Sequence, residues 1–223
     1  MKPANHKPDW PDLNLEIELL NRGYRLIAGI DEAGRGAWAG PVAAGVIILP
    51  VDQDDLLEEL DGVRDSKLLS VKQRTHWEQS LKKIALAWSV GMVKVKEVDS
   101  LGMIAATRLA MQRAIDGLKI PPEFLLIDHL LLPENSLPQT ALPHGDVSVL
   151  SISSASILAK VARDRKMIAY DKKYPGYGFR NHKGYGTPEH QQALRKLGPS
   201  ALHRQSFEPI AALMHAGSNP ASS

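Results

Sequence analysis

Apolar residues gather in short unbroken runs along much of the first half of the chain and recur at helical spacing in the stretches between and after them. Arg25 to Ile30 and Val42 to Leu49 are two such runs separated by a glycine-rich turn, a pattern that predicts a hairpin of buried strands. Leu86 to Val95, rich in branched residues, and Phe124 to Ile127 read as further strands, and Val147 to Leu150 as another extended piece. Helical spacing predicts helices over Asp12 to Leu20, Ser70 to Ile84, Val98 to Leu118 and Ser153 to Lys173, the last opened by serines. Strands early and helices late predict an α/β fold, a mixed sheet flanked by helices.

The chain has 223 residues, 43% of them hydrophobic, enough for one well-buried core. The expected division is a helical lead-in over 1–22, the main α/β domain over 23–173, a small helical C-terminal extension over 174–216 and a disordered tail over 217–223. The absence of cysteine excludes disulfide scaffolds, thiolate zinc sites and thiol nucleophiles. No run approaches the roughly 18 apolar residues of a membrane span, and Met1 to Asp12 lacks the apolar core of a signal peptide, so the expected location is cytoplasmic, with no membrane partner. The net charge of +2 hides a segregation of signs. Acids crowd Asp52 to Asp61, whereas Lys160 to Arg204, with Arg163 and Arg204 among its bases, is strongly basic and suits a phosphate backbone.

Chemistry enters with the acids that end two of the apolar runs. Asp31 and Glu32 close Leu-Ile-Ala-Gly-Ile, and Asp128 closes Phe-Leu-Leu-Ile. Neighbours on a regular strand face opposite ways, so Asp31 and Glu32 can share a site only if the strand ends or bends there, which Gly29, Gly34 and Gly36 permit. If the two strands are neighbours, their carboxylates converge at one sheet edge and repel unless a cation lies between them. Hard oxygen ligands favour Mg²⁺ or Mn²⁺ over zinc. Two such ions roughly 4 Å apart can activate a water and stabilise the leaving oxygen of a phosphodiester.

The stretch Gly29-Ile30-Asp31-Glu32-Ala33-Gly34-Arg35-Gly36, followed by Ala39-Gly40-Pro41-Val42, resembles the N-terminal signature of the ribonuclease HII family. The resemblance continues through Asp65-Ser66-Lys67, Ile127-Asp128, Ser154 to Asp164, His182-Lys183-Gly184-Tyr185-Gly186-Thr187 and Ser206-Phe207-Glu208-Pro209. It implies a ribonuclease H-like domain whose four metal-binding and catalytic acids are Asp31, Glu32, Asp128 and Asp146, with Asp164 left to pair with Lys160 one helical turn earlier. It also implies that Gly34, Arg35 and Gly36 meet the ribonucleotide's 2′-hydroxyl at an RNA–DNA junction, that Tyr185 acts at the same junction, and that Ser66 and Lys67 contact phosphate. The implied substrates are RNA–DNA hybrids and DNA duplexes containing ribonucleotides. They would be cut on the 5′ side of the ribonucleotide to leave 3′-hydroxyl and 5′-phosphate ends, with two Mn²⁺ or Mg²⁺ ions as cofactors. Tyr185 lies between two glycines, which is expected to expose its ring for packing on a sugar or base. The chain departs from the family at His129, where glycine is usual, and at His144, where lysine is common. Either imidazole is a candidate to alter the pH dependence.

Three rivals stand beside this reading. Ribonuclease HIII shares the acids but generally carries an extra N-terminal domain, and only about 30 residues precede Asp31 here. A junction resolvase of the same fold would not need Gly-Arg-Gly and Tyr185. A catalytically silent binding module would need only the basic half. A monomer is expected, and no sliding-clamp motif is visible after Phe207, so clamp contact stays open.

Overall fold

The computed structural model describes residues 10–217. In chain order the elements are α1 (Asn14–Asn21), β1 (Ile27–Ala33), β2 (Val42–Ile48), α2 (Leu56–Glu59), α3 (Val71–Ile84), β3 (Ala87–Val93), α4 (Val95–Leu101) and α5 (Met103–Asp116). They continue with β4 (Phe124–Asp128), β5 (Gln139–Leu142), α6 (Gly145–Ser148), α7 (Leu150–Lys173), α8 (Phe179–His182), α9 (Pro188–Leu197) and α10 (Glu208–Gly217). The strands form one mixed sheet in the order β3-β2-β1-β4-β5, antiparallel from β3 to β1 and parallel from β1 to β5. The expected hairpin is present, and helices flank the sheet.

Alternation along the central strands sorts side chains onto two faces. Ala28 and Ile30 of β1, with Val42, Ala44, Val46 and Ile48 of β2, pack on Ala106, Ala110, Met111 and Ala114 of α5. The opposite face meets α7, buried almost without interruption from Leu150 to Ala159 because the sheet lies on one side of it and α3 on the other. Glycine lets α7 come this close. A Cβ on Gly29 would lie 2.2 Å from the Ser151 carbonyl carbon, and one on Gly45 2.3 Å from the Ala155 oxygen. The segment beyond α7 builds its own apolar cluster around Phe179, Tyr177, Leu194, Leu202 and Ile210, seated on Met167 and Ala39.

Four expectations need correction. Val147 to Leu150 is not a strand: His144, in the left-handed region at φ 60°, turns the chain into the helical turn α6, and Leu150 already begins α7. The serines of α7 therefore lie inside it. Its first turn is held instead by Glu16 of α1, whose carboxylate accepts from Ser151 N at 2.9 Å. The helix expected over Val98 to Leu118 is two helices, broken at Gly102 where φ is +77°. β5 is an additional edge strand that apolar patterning does not reveal. Past Gly217, the expected tail lies outside the described residues, as does the start of the lead-in. Among the described residues no helix is long and apolar enough to cross a membrane.

Candidate active site

Parallel pairing brings the acids together. β1 and β4 run in register through Ile30 and Ile127, so Asp31 and Asp128 stand one step further along at the same sheet edge. Ile30 and Ile127 both face α5, and alternation turns Asp31 and Asp128 together toward α6 and α7. β1 does not end at the acids: it stays paired with β2 as far as Ala33 and Ala43. Glu32 shares the site because the β4 side of the strand is open beyond Ile30, and Asp31, Glu32 and Asp128 line one cleft of about 550 Å³. Asp146 arrives from α6, 3% exposed, where Asp128 Oδ1 accepts from Gly145 N at 2.8 Å and Ser153 Oγ donates to the Asp146 carbonyl at 2.7 Å.

The electrostatics of the cluster call for positive charge. Burial, then the carboxylates of Glu32, Asp128 and Asp146, hold Asp31 well above the usual carboxylate range. Glu32 is raised by burial against the pull of Arg35, and Asp128 by burial and by Asp146. The nearby cations are already engaged, Arg35 Nη1 with Glu32 Oε1 at 3.2 Å and Lys67 Nζ with Asp146 Oδ2 at 2.7 Å. Burial would lower the Lys67 ammonium, but its bond to Asp146 and the fields of Asp65 and Asp31 outweigh this and raise it. Among the described residues no three acids or imidazoles already stand as a closed coordination shell. The donor set nonetheless fits a hard divalent cation: every ligand is a carboxylate, and Glu32 Oε2 is buried with no hydrogen-bond partner.

Around the acids the same cleft is lined by Gly34, Arg35, Gly36, Ser66, Lys67 and Tyr185, together with Arg74 and Lys160. The sequence reading thus misses Arg74, which bonds the Ser66 and Leu69 carbonyls at 2.9 and 2.5 Å, and Lys160, which pairs with Asp164 at 2.9 Å as expected of that acid. Tyr185 is half-buried rather than exposed, its ring flanked by the Lys160 ammonium at 5.5 Å and the Arg163 guanidinium at 5.3 Å. His129 and His144 are exposed and lie outside the cleft lining. Both have positive φ, 64° and 60°, a conformation that glycine adopts at less cost.

Two arginines counted in the basic half do not face solvent at all. Arg163 and Arg204 are 0% exposed and form the floor of the Gly-Arg-Gly turn. Arg204 donates to the carbonyls of Gly34, Arg35 and Gly40 at 2.8 to 2.9 Å, and Arg163 to those of Pro41 and Ala39 at 2.9 and 3.1 Å. The two glycines of the turn consequently differ. Gly34 has φ +94° and its missing Cβ would fall 1.9 Å from Arg163 Nε, whereas Gly36 has nothing within 4 Å on that side. Gly34→Ala is therefore expected to cost about 2–4 kcal/mol in thermal or denaturant unfolding, by strain and displacement of Arg163. Gly36→Ala should unfold within about 1 kcal/mol of wild type, so any loss of activity it causes reports on the space it leaves for substrate.

A family model described as Ribonuclease HII matches residues 28–210. The chain belongs to the ribonuclease HII family. It is 50% identical over 197 residues to a ribonuclease HII of Thermus thermophilus, covering 88% of this chain and 93% of the relative. Identity to ribonuclease HII of Roseiflexus castenholzii is 50% over 200 residues, covering 90% and 89%. Among solved structures, ribonuclease H2 from Pyrococcus horikoshii superposes with a TM-score of 0.72 at 27% identity, covering 86% of this chain and 99% of the other. The protein is accordingly a ribonuclease H, a hydrolase with endonuclease activity, and its sheet and flanking helices are the ribonuclease H-like α/β fold.

Proposed function

We propose that the protein incises RNA–DNA hybrids, and DNA duplexes carrying embedded ribonucleotides, at the phosphodiester on the 5′ side of a ribonucleotide, leaving 3′-hydroxyl and 5′-phosphate ends in the cytoplasm. The observation that carries this reading is the meeting in one cleft of a carboxylate cluster, the Gly-Arg-Gly turn and Tyr185. Asp31, Glu32, Asp128 and Asp146 would hold two Mg²⁺ or Mn²⁺ ions. Bound there, the ions supply an activated water and charge neutralisation at the leaving oxygen.

The chain's own residues do the rest. Glu32 and Arg35 hold each other on the lip of the cleft, so the guanidinium is fixed beside the acids. The exposed face of Gly36 leaves room for a sugar-phosphate backbone to approach, and the Tyr185 ring, braced by two cations, offers a flat surface to the ribose or its base. Lys67 is mostly exposed and can turn from Asp146 to a phosphate, with Arg74 and Lys160 beside it. A silent binding module would need none of the four buried or half-buried acids, whose mutual repulsion costs the fold stability.

The reading is tested by mapping the ends produced from a duplex with one ribonucleotide, for wild type, Arg35→Ala and Tyr185→Ala. Incision 5′ of the ribonucleotide, with kcat/KM lowered at least about tenfold in both variants, is expected. Equal cutting of a ribonucleotide-free duplex, or no cutting, would contradict it.

A further inference from the structure

Tyr185 is held by a chain of buried imidazoles that begins in the C-terminal segment. His190, at the start of α9, and His203 are 0% and 1% exposed, and their Nε2 atoms meet at 3.0 Å. His190 Nδ1 lies 3.0 Å from the Tyr185 carbonyl, which can only accept. His203 Nδ1 lies 2.8 Å from Ser200 N, which can only donate, and 2.9 Å from the Ser200 hydroxyl, which can donate too, while the Ser200 carbonyl is farther away at 3.3 Å. Those two ends fix the protons in between. His203 must carry its hydrogen on Nε2 and give it to His190 Nε2, and His190 must carry its own on Nδ1 and give it to Tyr185. Both rings must be neutral for this, and burial, aided by the neighbouring imidazoles, pulls each down to about 4.

The rest of the loop is fixed in the same direction. The Tyr185 carbonyl also accepts from Thr187 N at 2.8 Å, Gly184 N donates to His182 Nδ1 at 3.1 Å, and the Gly184 carbonyl accepts from Trp38 N at 2.8 Å. His203 is followed directly by Arg204, the residue beneath the Gly-Arg-Gly turn. One short segment thus touches both elements assigned above to the ribose.

We propose that His190 and His203 form a tautomer-locked pair that positions Tyr185, so that the C-terminal segment sets how well the enzyme reads the ribonucleotide. The inference rests on the role given to Tyr185 under the proposed function. Replacing His203 by an apolar residue leaves the buried His190 Nε2 without its donor, so the ring is held at one end only and its bond to the Tyr185 carbonyl loosens. Glutamine at 203 keeps a donor near the Nε2 position and asparagine at 190 keeps one near Nδ1, so each preserves one half of the relay.

The test is a double-mutant cycle on the single-ribonucleotide duplex with His203→Leu, Tyr185→Ala and both together, beside His203→Gln. We expect His203→Leu to lower kcat/KM about tenfold, His203→Gln to restore all but about threefold, and His203→Leu to add less than about twofold once Tyr185 is gone. A loss of the same factor with and without Tyr185, or a glutamine variant as poor as leucine, would overturn the proposal. If His203→Leu does not fold, His190→Asn is compared with His190→Leu: cutting that asparagine retains and leucine loses supports the pair, and equal cutting by the two overturns it. Absence of cutting by wild type would remove the proposed function as well, whereas a Tyr185 effect independent of His203 removes this inference alone.

Discussion

Asp31→Asn is expected to abolish divalent-ion-dependent cleavage, by at least about a thousandfold, while making the metal-free protein harder to unfold. The stability gain follows from the cluster itself. Asp31 is buried among three other carboxylates, and its proton affinity is raised in the fold relative to the unfolded chain. Asparagine removes the charge but keeps the oxygen that accepts from Glu32 N at 2.7 Å. The sign follows from linkage: the folded state holds the Asp31 proton more tightly, so as pH rises from the ordinary carboxylate value through the raised one, wild type loses stability that the variant keeps. The difference in stability should therefore be near zero around pH 4 and grow toward neutrality, reaching about 1–3 kcal/mol, which corresponds to roughly 3–10 °C in melting temperature. Added Mn²⁺ should reverse the order, because only wild type gains binding energy from the ion. An Asn variant no more stable than wild type at pH 7 without metal would mean that the acids do not repel as described.

Arg204→Ala should be among the most damaging changes outside the acid cluster. It strips donors from the Gly34, Arg35 and Gly40 carbonyls in a place water does not reach. Burial and the neighbouring Arg163 lower this guanidinium to about 9, so it remains charged at neutral pH, and its loss recovers part of that cost. The net expectation is about 2–4 kcal/mol and a melting temperature lower by roughly 5–15 °C, with activity down about 10- to 100-fold as the turn shifts relative to Glu32. Arg204→Lys should rescue little, since a single ammonium cannot reach carbonyls spread across a planar fork. Differential scanning calorimetry with parallel cleavage assays checks both, and a lysine variant equal to wild type would contradict the fork geometry.

The central hairpin was legible as unbroken apolar runs, because both of its faces are buried, and α3 by its helical spacing, because it buries one face. β5 was not legible, because Gln139-Thr140-Ala141-Leu142 sits half-exposed at a sheet edge and its pairing comes from β4 rather than from its own pattern. The break at Gly102 and the turn at His144 depend on single residues with positive φ, which helical spacing does not register. At the site, acids at the ends of apolar runs marked Asp31, Glu32 and Asp128 on their own, while Asp146 needed the family resemblance. Arg163 and Arg204 misled, because a basic residue is ordinarily expected at the surface. The signal that could have found them is the stretch Gly34 to Pro41, which lies between strands and holds a single bridge, Ala39 with His203, so most of its carbonyls must be met by donors from elsewhere.

The most direct measurement is incision of a DNA duplex containing one ribonucleotide by wild type and Asp128→Asn, each with Mn²⁺, with Mg²⁺ and with EDTA. Wild type should make a single cut 5′ of the ribonucleotide with either ion and none with EDTA, and the variant should make none under any condition. Cutting that survives EDTA, or that persists in Asp128→Asn, would contradict a carboxylate-held metal centre at the edge of β1 and β4.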